Sequence, residues 1–380
     1  MKVAFIAIKG IDIIGGIETY TIELGKRLVG SGHKVIVYCI KTDKYPEPFM
    51  HEGIHFYPLP TIHHKYFAKI VLVFMASLHQ FKIADVDIVH YHAVGPSIFA
   101  FIPRLLGRQT IFQSHGHEWE RNSWNRPAKL FFHLAEKLTF LFANDSSAVS
   151  KNLKHYYEKK YHKDVTYIPS GITPRKALPA NKILKHGVSK SGYFLYVGRL
   201  SAEKNIEELI QAYLNLQQHQ LKLVIVGKAR PEDREYVARL KELAGKNRNS
   251  HSNILFVGPA YGDKLVEWYS NALAYILPSR IEGLPITLLE AMSFSCCCIA
   301  SDIPANREAL DGKGLTYPLG DHQALQQQLD FVARHTDTRE AIGKKLLTHV
   351  YANYTWSSIC EAFITLYSNN LATKYKGTTA

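Results

Sequence analysis

Cysteine is scarce and falls in no pattern that would bind zinc or build a disulfide frame. The 380 residues hold five, Cys39, Cys296, Cys297, Cys298 and Cys360, three of them consecutive and none spaced as CxxC. A reducing compartment follows. Long apolar runs are also lacking: the longest, residues 70–78 (IVLVFMASL), has nine residues, where a spanning helix takes roughly 20. It reads as a buried or surface-lying helix. The N-terminal MKVAFIAIKGIDIIGG carries one lysine before a short apolar run that breaks at Lys9 and Gly10, without the cleavage pattern of a secretory leader. A cytoplasmic protein is therefore expected. Acidic residues are the minority charge, 33 against 46 basic, and the formal net charge of +13 favours anionic partners. Nucleic acid would suit the charge, but no recognition motif supports it, and none is expected as a partner. With 46% hydrophobic residues the chain is no disordered segment, and its length fits two domains.

What is present reads as α/β. Residues 3–8 form a continuous apolar run, as in a strand buried on both faces of a parallel sheet. A turn at Gly15 and Gly16 follows, then Ile17, Tyr20, Leu24 and Leu28 at helical spacing, and a strand at 34–40. That βαβ pattern repeats through strands at 88–91, 110–112, 144–149 and 165–168, with a helix over 129–142. Residues 169–192 are rich in Pro, Gly, Lys and Ser with no sustained period, as in a linker. Strands resume at 193–197, 221–226, 253–257, 274–277 and 296–300, with helices over 206–217 and 233–244. The expected domains are 1–170, a linker at 171–192, a second α/β domain at 193–355, and a helix in 356–380 that packs across to the N-terminal domain.

The strongest motif is residues 278–292 (PSRIEGLPITLLEAM). Pro285 sits where a helix would begin, after a glycine-bearing loop at the carboxyl end of a strand, so free backbone N–H groups form an anion site suited to a diphosphate. Glu282 in the loop and Glu290 on the helix can hold separate hydroxyls of one extended ligand, although each acid taken alone is commonplace. The second motif, VGRLSAEKN at 197–205, flanks a strand-to-helix turn with Arg199 and Lys204. Two fixed cations there neutralise the charge that develops on a departing diphosphate, the work a metal does elsewhere. Alone, such a turn is more often a solvated loop; the two motifs support each other.

These paired motifs, with the GGIET loop at 15–19 and the GHKVIVY strand at 32–38, resemble the family 4 retaining glycosyltransferases of the GT-B fold. The resemblance spans nearly the whole chain. It implies two facing Rossmann-like doubly wound domains with an interdomain cleft, and a nucleotide-diphosphate sugar as donor with no cofactor and no metal. It implies that Arg199 and Lys204 grip the donor pyrophosphate beside Gly283, Leu284, Pro285 and Ile286. Glu290 would hold the ribose hydroxyls, Glu282 the transferred sugar or its phosphate, and Gly258 would frame the base. Gly15 and Gly16 would bring a backbone N–H to the same phosphate. In the family a histidine after the strand at 110–112 bonds the donor sugar, and His115 is the matching position, with His117 as runner-up. Catalysis would then rest on His115, Glu282, Arg199 and Lys204, by front-face attack with retention, since no residue stands out as a covalent nucleophile.

The stretch GHEWERNSW at 116–124 also resembles a subgroup of bacterial rhamnosyltransferases thought to use dTDP-rhamnose and a lipid-linked acceptor. It implies that Glu118 and Arg121, with His117, shape the sugar or acceptor site. The donor is thus dTDP-rhamnose, a UDP-sugar or GDP-mannose, and the acceptor a glycan or lipid-linked glycan of the cell surface. Rival readings are a nucleotide-sugar epimerase or hydrolase on the same fold, and a non-catalytic partner subunit. Asp85-Val86-Asp87 copies a DxD metal signature but precedes a buried strand. His90 and His92 are read as facing opposite ways, against joint ligation, and the cysteine run as packing. Two stretches, 63–81 and 126–142, join basic residues to a greasy face and suit contact with the anionic inner face of the plasma membrane.

Overall fold

Val3, Ala4, Phe5 and Ile6 have no exposed surface, because their strand is central in a parallel sheet covered on both faces. The computed structural model describes residues 1–6, 8–12, 15–62, 64, 67–83, 85–117, 119, 125–216, 220–245 and 253–377. It divides into two units, Met1–Gly171 with Thr355–Ala380, and Ile172–Tyr354.

The first unit holds strands β1 (Lys2–Ile6), β2 (Lys34–Ile40), β3 (Phe49–His51), β4 (Ile54–Leu59), β5 (Ile88–His92), β6 (Gln109–Ser114), β7 (Asp145–Ala148) and β8 (Thr166–Tyr167). They form one sheet in the order β3-β4-β2-β1-β5-β6-β7-β8, parallel except for β3. The sequence pattern did not reveal β3 and β4. Their hairpin turns at Glu52 and Gly53, both with positive φ of 50° and 77°, a geometry that an Asn-Gly or Asp-Gly pair normally announces. Pro58 lies in β4 beyond the last residue that β3 pairs, so its missing N–H breaks no ladder. The helix Trp356–Gly377 belongs to this unit, where Trp356, Ile359, Phe363 and Tyr367 join the core of Val3, Phe5, Tyr20 and Leu24.

The second unit holds β9 (Tyr193–Val197), β10 (Lys222–Val226), β11 (Ile254–Gly258), β12 (Ala274–Leu277), β13 (Cys297–Ser301) and β14 (Leu315–Tyr317). All pairings are parallel, in the order β11-β10-β9-β12-β13-β14. Both sheets are therefore Rossmann-like and doubly wound, reversing direction beside β1 in one and beside β9 in the other. A crevice opens where the order reverses, outside the carboxyl ends of the strands. In the second unit that point is the pair of loops leaving Val197 and Leu277. Residues 172–192 pack on this unit: Glu267 Oε2 accepts the N–H groups of Asn181 and Ile183 at 2.9 and 3.2 Å.

Two readings are corrected. His90 and His92 face the same way, with ring centroids 4.5 Å apart, as residues two apart on a strand must. The helix after β9 ends at Leu214 rather than 217. The cysteines are all buried and free. Asp87 Oδ2 accepts the Lys2 N–H at 2.8 Å, at the amino end of β5.

Candidate functional site

The loops leaving β9 and β12 are locked together by residues of both motifs. Arg280 donates its N–H to Glu203 O at 2.9 Å and its guanidinium to Asn205 Oδ1 at 2.7 Å. Asn205 is buried in the left-handed conformation, φ 52°, between the turn Ala202–Lys204 and the helix Ile206–Leu214. Asparagine tolerates that conformation better than most residues. Its amide donates to Glu208, whose other oxygen accepts the Gly320 N–H at 2.9 Å. Below the loop, the Tyr196 hydroxyl donates to Arg199 O at 2.8 Å, and the Tyr275 hydroxyl joins Val197 O to Thr287 Oγ1 at 3.3 and 2.8 Å. The loops after β9 and β10 touch so closely that a Cβ on Gly227 would stand 1.9 Å from Gly198 O. Only glycine fits there without a backbone shift.

On this frame Lys204 Nζ lies 2.5 Å from Glu282 Oε1, with side chains 18% and 10% exposed. Arg199 Nη1 lies 3.2 Å from Glu203 Oε1. Each cation expected at the donor phosphate thus already has an acid beside it. The helix Ile286–Ser293 starts at Pro285 with no side chain capping it, so its first N–H groups lack partners within the helix. Glu290, on the next turn and half-buried, accepts the Tyr269 hydroxyl on Oε2 at 2.9 Å. Burial raises its carboxyl above the usual range, against the pull of Tyr269 and Arg175. Its Oε1 has no partner among the described residues. Gly258 ends β11 with φ 73° and accepts the Gly227 N–H at 3.0 Å.

In the first unit the helix Gly16–Gly30 also begins without a side-chain cap, at Gly15. Glu18 in its first turn accepts the Lys9 N–H at 3.5 Å. His115 follows β6 and is half-buried, its Nε2 3.0 Å from His92 Nδ1 and its ring edge-on to Tyr20 at 5.0 Å. Burial is the first cause, and Lys69 the second, of a fall in its imidazole to about 3. His117 does not join it. It packs against Tyr156 and Trp119, centroids 4.5 and 4.7 Å away, beside the buried Glu136, which accepts from Lys160 at 2.7 Å and Tyr161 at 2.6 Å. Burial first, and Lys160 second, lower His117 to about 4. Glu118 and Arg121 lie outside the described residues.

Sequence reasoning assigned no role to Arg280, Gly227, Tyr269 or His92. Arg280 stands inside the second-unit motif and His92 two residues after His90, so both had a visible signal. Tyr269 had none, because its partner is 21 residues away.

The family described as Glycosyltransferase Family 4 matches residues 14–176, and that described as Glycosyl transferases group 1 matches residues 181–346. An uncharacterized glycosyltransferase of Methanocaldococcus jannaschii is 26% identical over 377 residues, 93% of this chain and 94% of that one. The lipopolysaccharide core biosynthesis mannosyltransferase LpcC of Rhizobium leguminosarum is 28% identical over 181 residues, 46% of this chain and 50% of its own. Among solved structures, Anabaena HepE in complex with UDP and glucose superimposes with a TM-score of 0.81 at 15% identity, covering 97% of this chain and 100% of that one.

Proposed function

The chain belongs to the family 4 glycosyltransferases of the GT-B fold, and on that premise we propose a retaining, metal-independent transferase that moves a sugar from a nucleoside diphosphate to a cell-surface glycan or lipid-linked acceptor. The observation that carries the reading is the locked pair of loops at the point where the second sheet reverses, with Lys204, Arg199 and the open helix start at Pro285 on them and Glu290 in the helix that follows. A diphosphate takes the helix start and the two cations, which neutralise its charge as it leaves. Glu290 accepts ribose hydroxyls, and Glu282 holds the sugar or its phosphate while Lys204 shifts toward the diphosphate. Gly283, Leu284 and Ile286 supply backbone N–H groups, and Gly258 frames the base. On the first unit His115 binds a hydroxyl of the transferred sugar, with His117, Glu118 and Arg121 on the acceptor side. The UDP and glucose held by the Anabaena protein and the mannosyl transfer named for the Rhizobium relative support a hexosyl donor.

Calorimetric titration with dTDP, UDP and GDP tests the pocket. One nucleotide is expected to bind at micromolar Kd, about 8 kcal/mol, and Glu290→Ala to weaken it at least tenfold. Binding by none of the three to the folded protein removes the donor assignment.

The acceptor side of the reading includes an anionic membrane. No helix among the described residues is long and apolar enough to cross a bilayer. Exposed apolar side chains gather on the first unit, with Phe81 60%, Leu105 80%, Leu130 71% and Leu141 60% exposed. The helix Arg126–Phe142, which carries the exposed Leu130, Leu134 and Leu141, also bears Arg126, Lys129 and Lys137, the combination that draws a surface-lying helix to acidic headgroups. Cosedimentation with vesicles containing phosphatidylglycerol is expected, falling with salt and falling severalfold in Leu130→Glu/Leu134→Glu. Equal recovery with neutral vesicles, or none with either, rules out the anionic surface.

A further inference from the structure

His92 is fully buried at the carboxyl end of β5. Phe5 stacks on one side of its ring at 5.5 Å and 10°, and His90 lies against it at 4.5 Å. Its Nδ1 meets His115 Nε2 at 3.0 Å, while its Nε2 is buried with no hydrogen-bond partner. Burial keeps both imidazoles neutral in the usual pH range, so one nitrogen of the contact carries the proton and the other accepts it.

The two arrangements leave different groups stranded. If His115 donates from Nε2, the His92 proton sits on Nε2 as a buried N–H without an acceptor. If His92 donates from Nδ1, its Nε2 is only a bare lone pair. Orphaned buried N–H groups are the rarer defect. The His115 proton then sits on Nδ1, which no described residue meets with a hydrogen bond and which, unlike His92 Nε2, is not a buried atom without a partner, on a half-buried side chain.

We infer that His92 is a positioning residue that donates Nδ1–H to His115 Nε2 and so fixes the His115 proton on Nδ1, making His115 a permanent hydrogen-bond donor to an oxygen acceptor and excluding it as a general base. The ligand group that this Nδ1–H takes is a sugar hydroxyl or phosphate oxygen. That last step rests on the proposed role of His115, whereas the tautomer does not. Tyr20 packs edge-on against both rings, and its own hydroxyl is held by Gln113 Nε2 at 2.7 Å and Pro169 O at 3.3 Å.

The test is the nitrogen spectrum of the full chain with ¹⁵N-labelled histidine, the His115 ring being assigned by its loss in His115→Gln. Nδ1 of His115 is expected in the protonated range and Nε2 in the bare range at pH 7.5. The reverse pattern overturns the inference. His92→Asn places an amide N–H near the position of Nδ1 and is expected to keep the pattern; His92→Leu is expected to release Nε2–H into the population. Nucleoside diphosphate release is read on the same variants. A fall of about tenfold in kcat with little change in donor KM, as for one lost hydrogen bond, is expected in His92→Leu and not in His92→Asn. The expected spectrum with unchanged kcat in both variants upholds the tautomer and removes His115 from the donor sugar. If His92→Leu does not fold, the parent and His92→Asn spectra still decide the tautomer.

Discussion

Lys204→Ala is expected to lower the rate of nucleoside diphosphate release by about 10²–10³, the range found when a preorganised group that stabilises transition-state charge is removed. Lys204 Nζ sits 2.5 Å from Glu282 Oε1, so the ammonium is held on the loop before any ligand arrives and shifts from that carboxylate toward the diphosphate. The single substitution also leaves a poorly exposed carboxylate without its cation, which costs stability by itself. The double variant Lys204→Ala/Glu282→Gln removes that defect. It is expected to recover the parent melting temperature while the rate stays low. If the interaction strengthens toward the transition state, kcat falls more than donor KM rises. A folded Lys204→Ala protein that turns over at the parent rate refutes the assignment of this lysine to the leaving group.

Acidification is expected to unfold the first unit well before the second. Burial lowers His90 to about 3 and His92 well below its ordinary value, and each sits fully buried. The unfolded chain binds those protons near pH 6.5 and the folded one does not, so stability is complete above 6.5 and is lost as pH falls toward the folded values. At pH 5 the loss for His90 is about 2 kcal/mol, and His92 adds to it in the same direction. For a unit of this size that is a drop of several degrees in Tm between pH 7.5 and 5. In the second unit His186 and His349 are lowered as well, but Glu290, Glu208 and Asp233 are raised by burial, and raised acids push the other way. Calorimetric scans at pH 7.5, 6.5 and 5 should therefore show two transitions that separate on acidification. His92→Asn should shrink the shift, because one buried imidazole is gone. A first transition that does not move between pH 7.5 and 5 contradicts the neutral histidine cluster.

How much of this was legible in the sequence differs between the two units. In the second unit, β9 and β12 fall where the apolar runs lie, and the two motifs stand directly after them. Parallel strands buried on both faces leave continuous apolar runs, and ligand loops follow their carboxyl ends, so pattern and position coincide. In the first unit the hairpin of β3 and β4 was hidden, because half-exposed strands joined through Glu52 and Gly53 carry no strong periodic or turn signal.

The sequence by itself determined the α/β class and brought the candidate residues into view: Arg199, Lys204, Glu282 and Glu290 within motifs, and His115 after a strand. Only the tertiary structure decided their company. It brought Glu282 to Lys204 across 78 positions, Tyr269 to Glu290 across 21, and His92 to His115 across 23. It also carried Tyr367 to within 2.6 Å of His90 Nδ1 over 277 positions. Local pattern encodes which face of a strand or helix is buried. It does not encode which side chain from a distant segment closes the hydrogen bond, because that depends on sheet order and helix docking, set by the packing of the whole unit.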